Sequence, residues 1–374
     1  MDFQQWRSEF PILERVNYLN SCSLGALSRR ALERIEGFHQ EWHSFGASAW
    51  YETWLGRLEE LRRRVGRLIS ATAGEVALAP STSVALSAVA SALDYRSRPR
   101  ILVAELDFPT IAYVWRARPD VELVVVPSDD GVTIELERWA EAADQRTAAI
   151  ATSHVFFATG AIQDVRAIAE IAHGRGALCI IDGYHGAGQI PVDVGASGCD
   201  VYTAGPLKWL LGGPGLAYLY VRRALAERVQ PTVAGWFGAR DQFAFDLRSF
   251  EPKQGALRFE MGTPALPTVH AALGAMDIIE EIGIPAIRER NLQLTETLIG
   301  RAAKAGMRLR LAAEPAARSA IVMVARADPA ADVARLAKRR IIVDSRPGYV
   351  RISPHFYNSE DEVVGVIDAL AASP

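Results

Sequence analysis

One lysine and one aspartate stand where two apolar strands of this chain are predicted to end. Residues 177–182 read Ala-Leu-Cys-Ile-Ile-Asp, so a buried strand is predicted to finish at Asp182. A second short strand in 199–204 leads into a turn that carries Lys208, followed by the glycine-rich run 212–215. A lysine amine forms Schiff bases with aldehydes, and a carboxylate pairs with a protonated ring nitrogen. The pair therefore predicts pyridoxal 5′-phosphate (PLP), bound covalently by Lys208 and kept cationic at its pyridine nitrogen by Asp182.

Two other predicted strand ends carry groups that suit the rest of this cofactor. The triplet Ser81-Thr82-Ser83 opens a predicted helix, where hydroxyls and free N–H groups form a phosphate site, although serine and threonine are also ordinary helix caps. Beside the lysine and the aspartate, we predict that Thr82 and Ser83 bind the phosphate. After the strand 100–105, Phe108 is predicted to lie on the pyridine ring and Thr110 to reach the phosphate. The alternative for Phe108 is a core aromatic residue at a strand end.

Two histidines follow the same pattern. His154 comes at the end of a predicted strand, where it is either a core or capping residue or a cofactor contact. His185 stands three residues after Asp182 and is predicted to hold that aspartate or to touch the phenolic oxygen of the cofactor. We include both histidines among the predicted cofactor-binding residues.

Bulk composition excludes several classes of function. The 374 residues are 49% hydrophobic and 23% charged, with a net charge of -3, which gives no electrostatic case for nucleic acid or anionic membrane as the main partner. The arginine and lysine clusters at 62–64 and 338–340 are predicted to be solvated helix faces. Three cysteines show no metal-type spacing, so no metal site is predicted. With neither an apolar leader nor a long apolar stretch, a cytoplasmic enzyme is expected.

Helical patterns alternate with short apolar strands from about residue 60 to 220. Helices are predicted near 57–70, 83–93, 135–143 and 164–174, and strands at 75–79, 100–105, 121–126, 147–153, 177–182, 200–204 and 216–221. This alternation is typical of an α/β fold with a mostly parallel sheet covered by helices on both sides. Ligands bind such sheets at the carboxyl ends of the strands, where both the lysine and the aspartate are predicted to lie.

The pattern changes after residue 258. A long helix is predicted at 268–304 with an interruption near Gly283, followed by short strands at 307–311, 319–325, 341–343 and 349–352 and helices near 330–339 and 360–371. We therefore predict a large PLP-binding domain, 15–258, and a smaller α+β domain formed by 1–14 and 259–374.

These residues together resemble the fold-type I PLP enzymes, specifically the class V aminotransferase superfamily of cysteine desulfurases, kynureninases, aminotransferases and epimerases. The resemblance runs from the segment 18–25 to the segment 351–358. It implies an aspartate aminotransferase-like fold of the PLP-dependent transferases. It also implies an α-amino acid substrate whose carboxylate is bound by Arg351, with Ser23 nearby, because a guanidinium binds a carboxylate through two parallel hydrogen bonds.

Several segments are most similar to the kynureninase branch. They are 108–110, 153–155, 159–160, 208–210, 213–215, 235–238 and 262–264. In that branch the residues matching Trp236 and Thr263 reach the active site of the neighbouring subunit. The resemblance therefore implies a homodimer with shared active sites.

Departures from the branch bear on the reaction. Kynureninases have a tyrosine just before the lysine and desulfurases a histidine, whereas this chain has Leu207, which can neither donate a hydrogen bond nor carry a proton. Phe156 and Phe157 replace a polar residue, and no cysteine precedes Arg351 to carry a persulfide. We predict an enzyme in which Lys208 removes the Cα proton and a bond at or beyond Cβ is cleaved, as in a kynureninase-like hydrolase or a β-lyase. The alternatives are an aminotransferase, a racemase and, more remotely, a non-catalytic PLP-fold binding protein.

Overall fold

The computed structural model describes residues 2–372. Its helices are α1 (Arg29–Phe45), α2 (Leu55–Leu68), α3 (Thr82–Ser91), α4 (Pro109–Arg116), α5 (Leu136–Ala142), α6 (Val165–Gly174), α7 (Val194–Ser197), α8 (Arg223–Arg228), α9 (Leu266–Ile282), α10 (Ile284–Lys304), α11 (Pro329–Lys338) and α12 (Glu360–Ala371). Its strands are β1 (Asn17–Tyr18), β2 (Val76–Ala79), β3 (Arg100–Ala104), β4 (Glu122–Val126), β5 (Thr147–Ser153), β6 (Leu178–Asp182), β7 (Val201–Ala204), β8 (Ala217–Val221), β9 (Leu309–Arg310), β10 (Val322–Ala325), β11 (Ile341–Ile342), β12 (Asp344–Arg346) and β13 (Tyr349–Ile352).

Seven strands form the main sheet, in the order β2-β8-β7-β6-β5-β3-β4. β3, β4, β5, β6 and β7 pair in parallel, while β8 runs antiparallel to both of its neighbours. β2 therefore points the same way as the parallel strands. The mostly parallel sheet predicted from the sequence is confirmed.

Side chains of the main sheet alternate between two hydrophobic layers, because successive residues of a strand point to opposite faces. Leu102, Ile150 and Ile181 belong to the layer covered by α2, α6 and α9. Ile101, Ala149 and Ile180 belong to the layer covered by α3, α4 and α8. Burial on both faces explains why these strands read as continuous apolar runs in the sequence.

The C-terminal part contains a four-stranded sheet in the order β12-β13-β10-β9, antiparallel throughout. α10, α11 and α12 pack against it around a separate apolar cluster. The long helix predicted at 268–304 is two helices, α9 and α10, which meet at Gly283 with φ of 82°. The N-terminal segment lies on this part of the molecule, where Arg7 forms an ion pair with Glu362. The division of the chain at residue 258 stays a prediction.

The two basic clusters at 62–64 and 338–340 differ in their exposure to solvent. The cluster 338–340 is exposed as predicted, but the prediction of a solvated face is wrong for Arg62 and Arg64, which are buried. Within residues 2–372, no helix has the length and apolar character needed to cross a membrane.

The buried arginines of α2 are stabilised by acids that are distant in the sequence. Arg62 donates from Nε and Nη2 to the carboxylate of Glu260, at 2.8–3.0 Å, and that carboxylate also accepts the backbone N–H of Leu78. Arg64 pairs with Asp277 and Glu280. Since the partners lie about two hundred residues away, the local sequence gave no sign of them.

Loss of Glu260 should therefore destabilise the protein strongly. We expect Glu260→Ala to lower the free energy of unfolding by about 3–5 kcal/mol, because it leaves the guanidinium of Arg62 buried without its bidentate partner. The measurement is urea-induced unfolding followed by circular dichroism. The matched control is Glu170→Ala, which removes a carboxylate from the exposed Arg166–Glu170 pair and should cost less than about 1 kcal/mol. Equal losses in the two variants would contradict the role assigned to Glu260.

Candidate active site

The carboxyl ends of β2, β3, β5 and β6 meet the loop after β7 at one edge of the main sheet. They surround a cavity of about 220 Å³. The residues that line it are Ser81, Thr82, Ser83, Phe108, Thr110, Ser153, Val155, Asp182, Tyr184, His185, Leu207 and Lys208. Seven residues predicted from the sequence to bind the cofactor thus border a single cavity, although they span more than a hundred positions of the chain.

The part of the cavity lined by the start of α3 suits a phosphate group. α3 begins at Thr82, and the side chain of the capping residue Ser81 accepts the N–H of Val84 at 3.3 Å. Thr82 Oγ1 is buried and has no hydrogen-bond partner among the described residues. Ser83 Oγ lies 3.1 Å from Thr110 Oγ1. The unpaired hydroxyl and the N–H groups at the start of the helix are what a bound phosphate requires.

Asp182 also lines the cavity, at the last position of β6. Its Oδ1 accepts the N–H of Tyr184 at 2.9 Å and the hydroxyl of Thr203 at 3.3 Å. Burial raises the pKa of Asp182, while the Tyr184 N–H and the nearby Lys208 charge work in the opposite direction. A buried carboxylate of this kind is stabilised by a cation beside it, so a protonated ring nitrogen fits this position.

Lys208 is paired with His185. The distance from Lys208 Nζ to His185 Nε2 is 2.8 Å, and Trp209 Nε1–H donates to His185 Nδ1 at 3.3 Å. Because Nδ1 accepts a hydrogen bond, the proton of the neutral imidazole is on Nε2. Nε2–H then donates to the lone pair of the lysine nitrogen, which requires an uncharged amine.

Burial favours the same protonation state. It lowers the pKa of Lys208 to about 8, with Asp182 opposing this shift and the positive charges of Arg351 and Arg346 adding to it. Burial also lowers the pKa of His185 well below its ordinary value, helped by the charge of Lys208. The site therefore gives the amine a larger neutral fraction near physiological pH than a solvated lysine has, and the neutral amine is the form that attacks an aldehyde.

The turn that carries Lys208 is held from two sides. The N–H of Gly25 donates to the carbonyl of Leu207 at 2.8 Å, and His355 Nε2–H donates to the carbonyl of Trp209 at 3.1 Å. A Cβ atom at position 25 would lie 2.2 Å from the carbonyl oxygen of Lys208, so only glycine fits there. This contact explains the glycine in the N-terminal segment that sequence analysis singled out.

Aromatic rings surround the lysine amine. Nζ of Lys208 lies 5.0 Å from the ring centroid of Tyr184 and 5.9 Å from that of Phe108. Phe108 is 43% exposed and makes an edge-to-face contact with Phe157 at 5.3 Å. A partly exposed ring at the cavity wall offers a surface for a flat cofactor, so the alternative of a fully buried core aromatic does not describe Phe108.

Three predicted cofactor contacts do not line this cavity. His154 Nδ1 lies 3.0 Å from the hydroxyl of Tyr202, and burial lowers the pKa of His154 to about 4. Trp236 borders a different cavity, of about 430 Å³, and Thr263 is exposed. The predicted cofactor contacts of His154, and of Trp236 and Thr263 across a subunit boundary, stay predictions.

Arg351 and Ser23, predicted to bind substrate, are brought together beside the site. Arg351 is almost completely buried and donates from Nη2 to Ser23 Oγ at 2.8 Å and from Nη1 to the carbonyl of Phe157 at 3.0 Å. Nη2 also donates to Asp344 Oδ2 at 2.7 Å. Sequence reasoning had placed no acid there.

Several other residues of the site were missed. Tyr184 lines the cavity. Burial raises the pKa of Tyr184, and a hydrogen bond from the backbone N–H of Leu207 to its hydroxyl has a smaller effect in the opposite direction. A Cβ atom on Gly205 would lie 2.5 Å from the Tyr184 ring, so this glycine leaves room for the phenol. Asp107 accepts the N–H of Ser153 at 2.7 Å and thereby ties the Phe108 loop to the end of β5. The position of Tyr184 between two predicted site residues was the one available signal.

Comparison with known proteins places these features in context. The family model for class-V aminotransferases matches residues 18–365. An "uncharacterized aminotransferase YcbU" from Bacillus subtilis is 34% identical over 369 residues, covering 99% of this chain and 97% of that protein. A kynureninase from Deinococcus radiodurans is 33% identical over 307 residues, covering 78% of this chain and 72% of the relative.

Solved structures give the same architecture. A cysteine desulfurase from Thermococcus onnurineus NA1, in its apo form, matches with a TM-score of 0.90 and 21% identity, covering 100% of this chain and 98% of that one. The cystine C-S lyase C-DES, in a complex with its reaction product cysteine persulfide, matches with a TM-score of 0.88 at 21% identity, covering 97% of this chain and 99% of that one. The predicted fold class is confirmed.

The protonation state of Lys208 can be tested through its reaction with the cofactor aldehyde. We expect the rate of PLP uptake by the apo-protein to rise with pH through about 8. The sign follows because only the neutral amine attacks, and a lowered pKa increases the neutral fraction at a given pH. Stopped-flow absorbance measures the rate, and Lys208→Ala is the control that forms no covalent link. A midpoint near the ordinary lysine pKa would show that the amine is not buried as described.

Proposed function

The chain belongs to the class-V aminotransferase family and is a PLP-dependent enzyme, and from this premise we propose that it cleaves an α-amino acid at or beyond Cβ. The proposed reaction is that of a kynureninase-like hydrolase or a β-lyase. The observation that carries the proposal is Tyr184, a second proton-carrying group that borders the cavity beside Lys208. The similarity to kynureninases over most of the chain supports it.

The residues present fit the cofactor at each of its ends. Thr82, Ser83 and Thr110 would hold the phosphate, Asp182 the pyridine nitrogen and Lys208 the aldehyde carbon. When bound, PLP supplies an electron sink for the negative charge left on the substrate Cα. Phe108 would border the ring, and His185 Nε2–H is oriented toward the position of the lysine nitrogen, where it can donate to the phenolic oxygen.

Proton transfer within the site is divided between two groups. The Lys208 amine, neutral above pH of about 8, acts as the base that removes the Cα proton. Burial raises the pKa of Tyr184, so its hydroxyl keeps its proton at neutral pH and can donate it. Cleavage beyond Cα needs such a second donor to neutralise charge on the departing group, whereas removal and return of one Cα proton does not.

The proposal extends to the substrate and to the assembly. We propose that Arg351 binds the α-carboxylate beside Ser23 and that two chains form a homodimer in which Trp236 and Thr263 reach the partner's site. A cluster of exposed apolar residues supports an interface near Trp236. Phe243, Phe245 and Phe250 are 43–71% exposed, and Leu247 is fully exposed. Apolar residues grouped on a surface in this way mark interaction sites.

An aminotransferase is the second candidate. The Bacillus subtilis relative carries that name and aligns over 99% of this chain. Leu207 lines the cavity and supplies no proton-carrying side chain at the position that precedes the lysine. If Tyr184 has no role in proton transfer, Lys208 would be the single acid–base group that the reaction uses, and one such group is sufficient for transamination.

Product analysis separates the two candidates. The holoenzyme is incubated with a panel of amino acids that includes kynurenine, cysteine and cystine, under single-turnover and multiple-turnover conditions. We expect alanine or pyruvate to appear with the lysine-linked absorbance band restored. Release of the corresponding keto acid, with the cofactor left in its amine form, would instead establish transamination. Lys208→Ala should lose the borohydride-reducible link in either case.

The role of Tyr184 has its own test. We expect Tyr184→Phe to lower the rate of cleavage by about 10²–10⁴-fold, since the variant keeps the ring but loses the proton donor. Exchange of the substrate Cα proton in deuterated water, which depends on Lys208, should stay within a few-fold of the parent enzyme. The control is Tyr113→Phe, at a phenol that is 65% exposed on α4. A parallel loss of exchange and cleavage would refute a separate role for this hydroxyl.

A further inference from the structure

Asp344 forms an ion pair with the guanidinium of Arg351, which is predicted to bind the substrate carboxylate. β12 and β13 pair antiparallel with Asp344 directly opposite Arg351, so both side chains lie on one face of the sheet. Asp344 Oδ2 accepts three hydrogen bonds, from Ser23 Oγ at 2.9 Å, Arg346 Nη1 at 2.9 Å and Arg351 Nη2 at 2.7 Å. One carboxylate oxygen of the chain therefore already fills a carboxylate-binding site.

The charges of this cluster do not cancel. Two guanidinium groups, of Arg346 and Arg351, face a single carboxylate, and neither forms an ion pair with another acid of the described chain. In addition, Nε of Arg351 is buried and has no hydrogen-bond partner within residues 2–372. A second carboxylate would balance the remaining positive charge and could use the open donor, because guanidinium groups bind carboxylates through two N–H groups.

The cluster is continuous with the wall of the active-site cavity. The guanidinium of Arg346 lies 5.6 Å from the ring centroid of Phe157, and Phe157 contacts Phe108, which lines the cavity. Arg351 also binds the carbonyl of Phe157. The side chains of Asp344 and Arg346 are 28% and 26% exposed, so solvent reaches this part of the cluster.

Resting on the function proposed above, we propose that Asp344 competes with the substrate for Arg351. The substrate carboxylate displaces Asp344 from Arg351, and Asp344 stays paired with Arg346. An internal carboxylate competes at a high effective concentration, so a simple carboxylic acid in solution binds weakly. An amino acid that is also bound through its amino group overcomes this competition, since its own carboxylate is then tethered beside Arg351. The device selects amino acids with a free α-carboxylate over other organic anions.

Binding of propionate, a carboxylate without an amino group, tests this competition in the apo-protein. We expect Asp344→Asn to bind propionate about tenfold more tightly than the parent chain in isothermal titration calorimetry at low salt, because the competing charge is gone. Arg346→Gln should bind it about fivefold or more weakly, since Asp344 then has Arg351 as its remaining guanidinium partner. The affinity for propionamide, which is uncharged, should be the same in the parent chain and in both variants.

The matched control is Asp332→Asn. Asp332 also lies between two arginines, Arg326 and Arg335, but within residues 2–372 it forms no hydrogen bond or ion pair with Arg351. Its propionate affinity should equal that of the parent within about twofold.

Two results would overturn the inference: unchanged or weaker propionate binding by a folded Asp344→Asn, or unchanged or tighter binding by Arg346→Gln. If the asparagine variant does not fold, the glutamine variant decides alone. Since these titrations need no PLP, they remain decisive if the holoenzyme cleaves no amino acid. Failure of the proposed function would appear separately, as absence of product.

Discussion

Burial of the Lys208 amine is the constraint on which the rest of the site depends. A solvated lysine stays protonated at neutral pH and does not attack an aldehyde, whereas this one is enclosed by aromatic rings and paired with a neutral imidazole. Enclosure requires that the turn be held rigidly, which the contact of its backbone with Gly25 provides. The imidazole in turn needs a defined tautomer, and Trp209, the next residue of the chain, supplies the donor that selects it.

The molecule handles buried charge in two different ways. On α2, Arg62 pairs with the bidentate carboxylate of Glu260 and also with Glu59, so its charge is balanced by acids of the chain. Removing Glu260 would leave a buried charge without its main partner. Beside the active site, two guanidinium groups share a single acid, Asp344, and one positive charge remains. The first arrangement is complete in the protein itself, whereas the second is the one that we propose an added anion completes. This contrast distinguishes a structural ion pair from a binding site in terms of charge balance.

The main sheet explains why residues so far apart in the chain form one cavity. The parallel strands end at a common edge, and each delivers a short loop or a helix N-terminus to it. Asp182 ends β6, Ser81 follows β2, and Lys208 follows β7. Loops on a rigid scaffold can differ between related enzymes without loss of the core. Leu207 and Tyr184 line one cavity from different loops: the side chain before the lysine is apolar, and the loop after β6 supplies a phenol.

Much of this could be predicted from the amino-acid sequence because the signals are local. Apolar runs of strand length, the helix cap at Ser81 and the chemistry of lysine and aspartate at strand ends determined the fold class and seven of the residues that line the cavity. The interruption of the long helix near Gly283 was equally local, since a glycine with positive φ ends one helix and begins the next.

Only the tertiary structure decided which charged and polar groups meet across long separations in the chain. The local pattern of α2 indicated solvated arginines, but Glu260 and Glu280 fold against that helix and bury Arg62 and Arg64. Asp344 lies just beyond the strand predicted at 341–343, and only the register of β12 and β13 sets it opposite Arg351. The protonation states of Lys208 and His185 likewise depend on burial and on a partner 23 positions away. Electrostatic energies depend on distance and solvent exposure, and both are properties of the folded chain rather than of its sequence pattern.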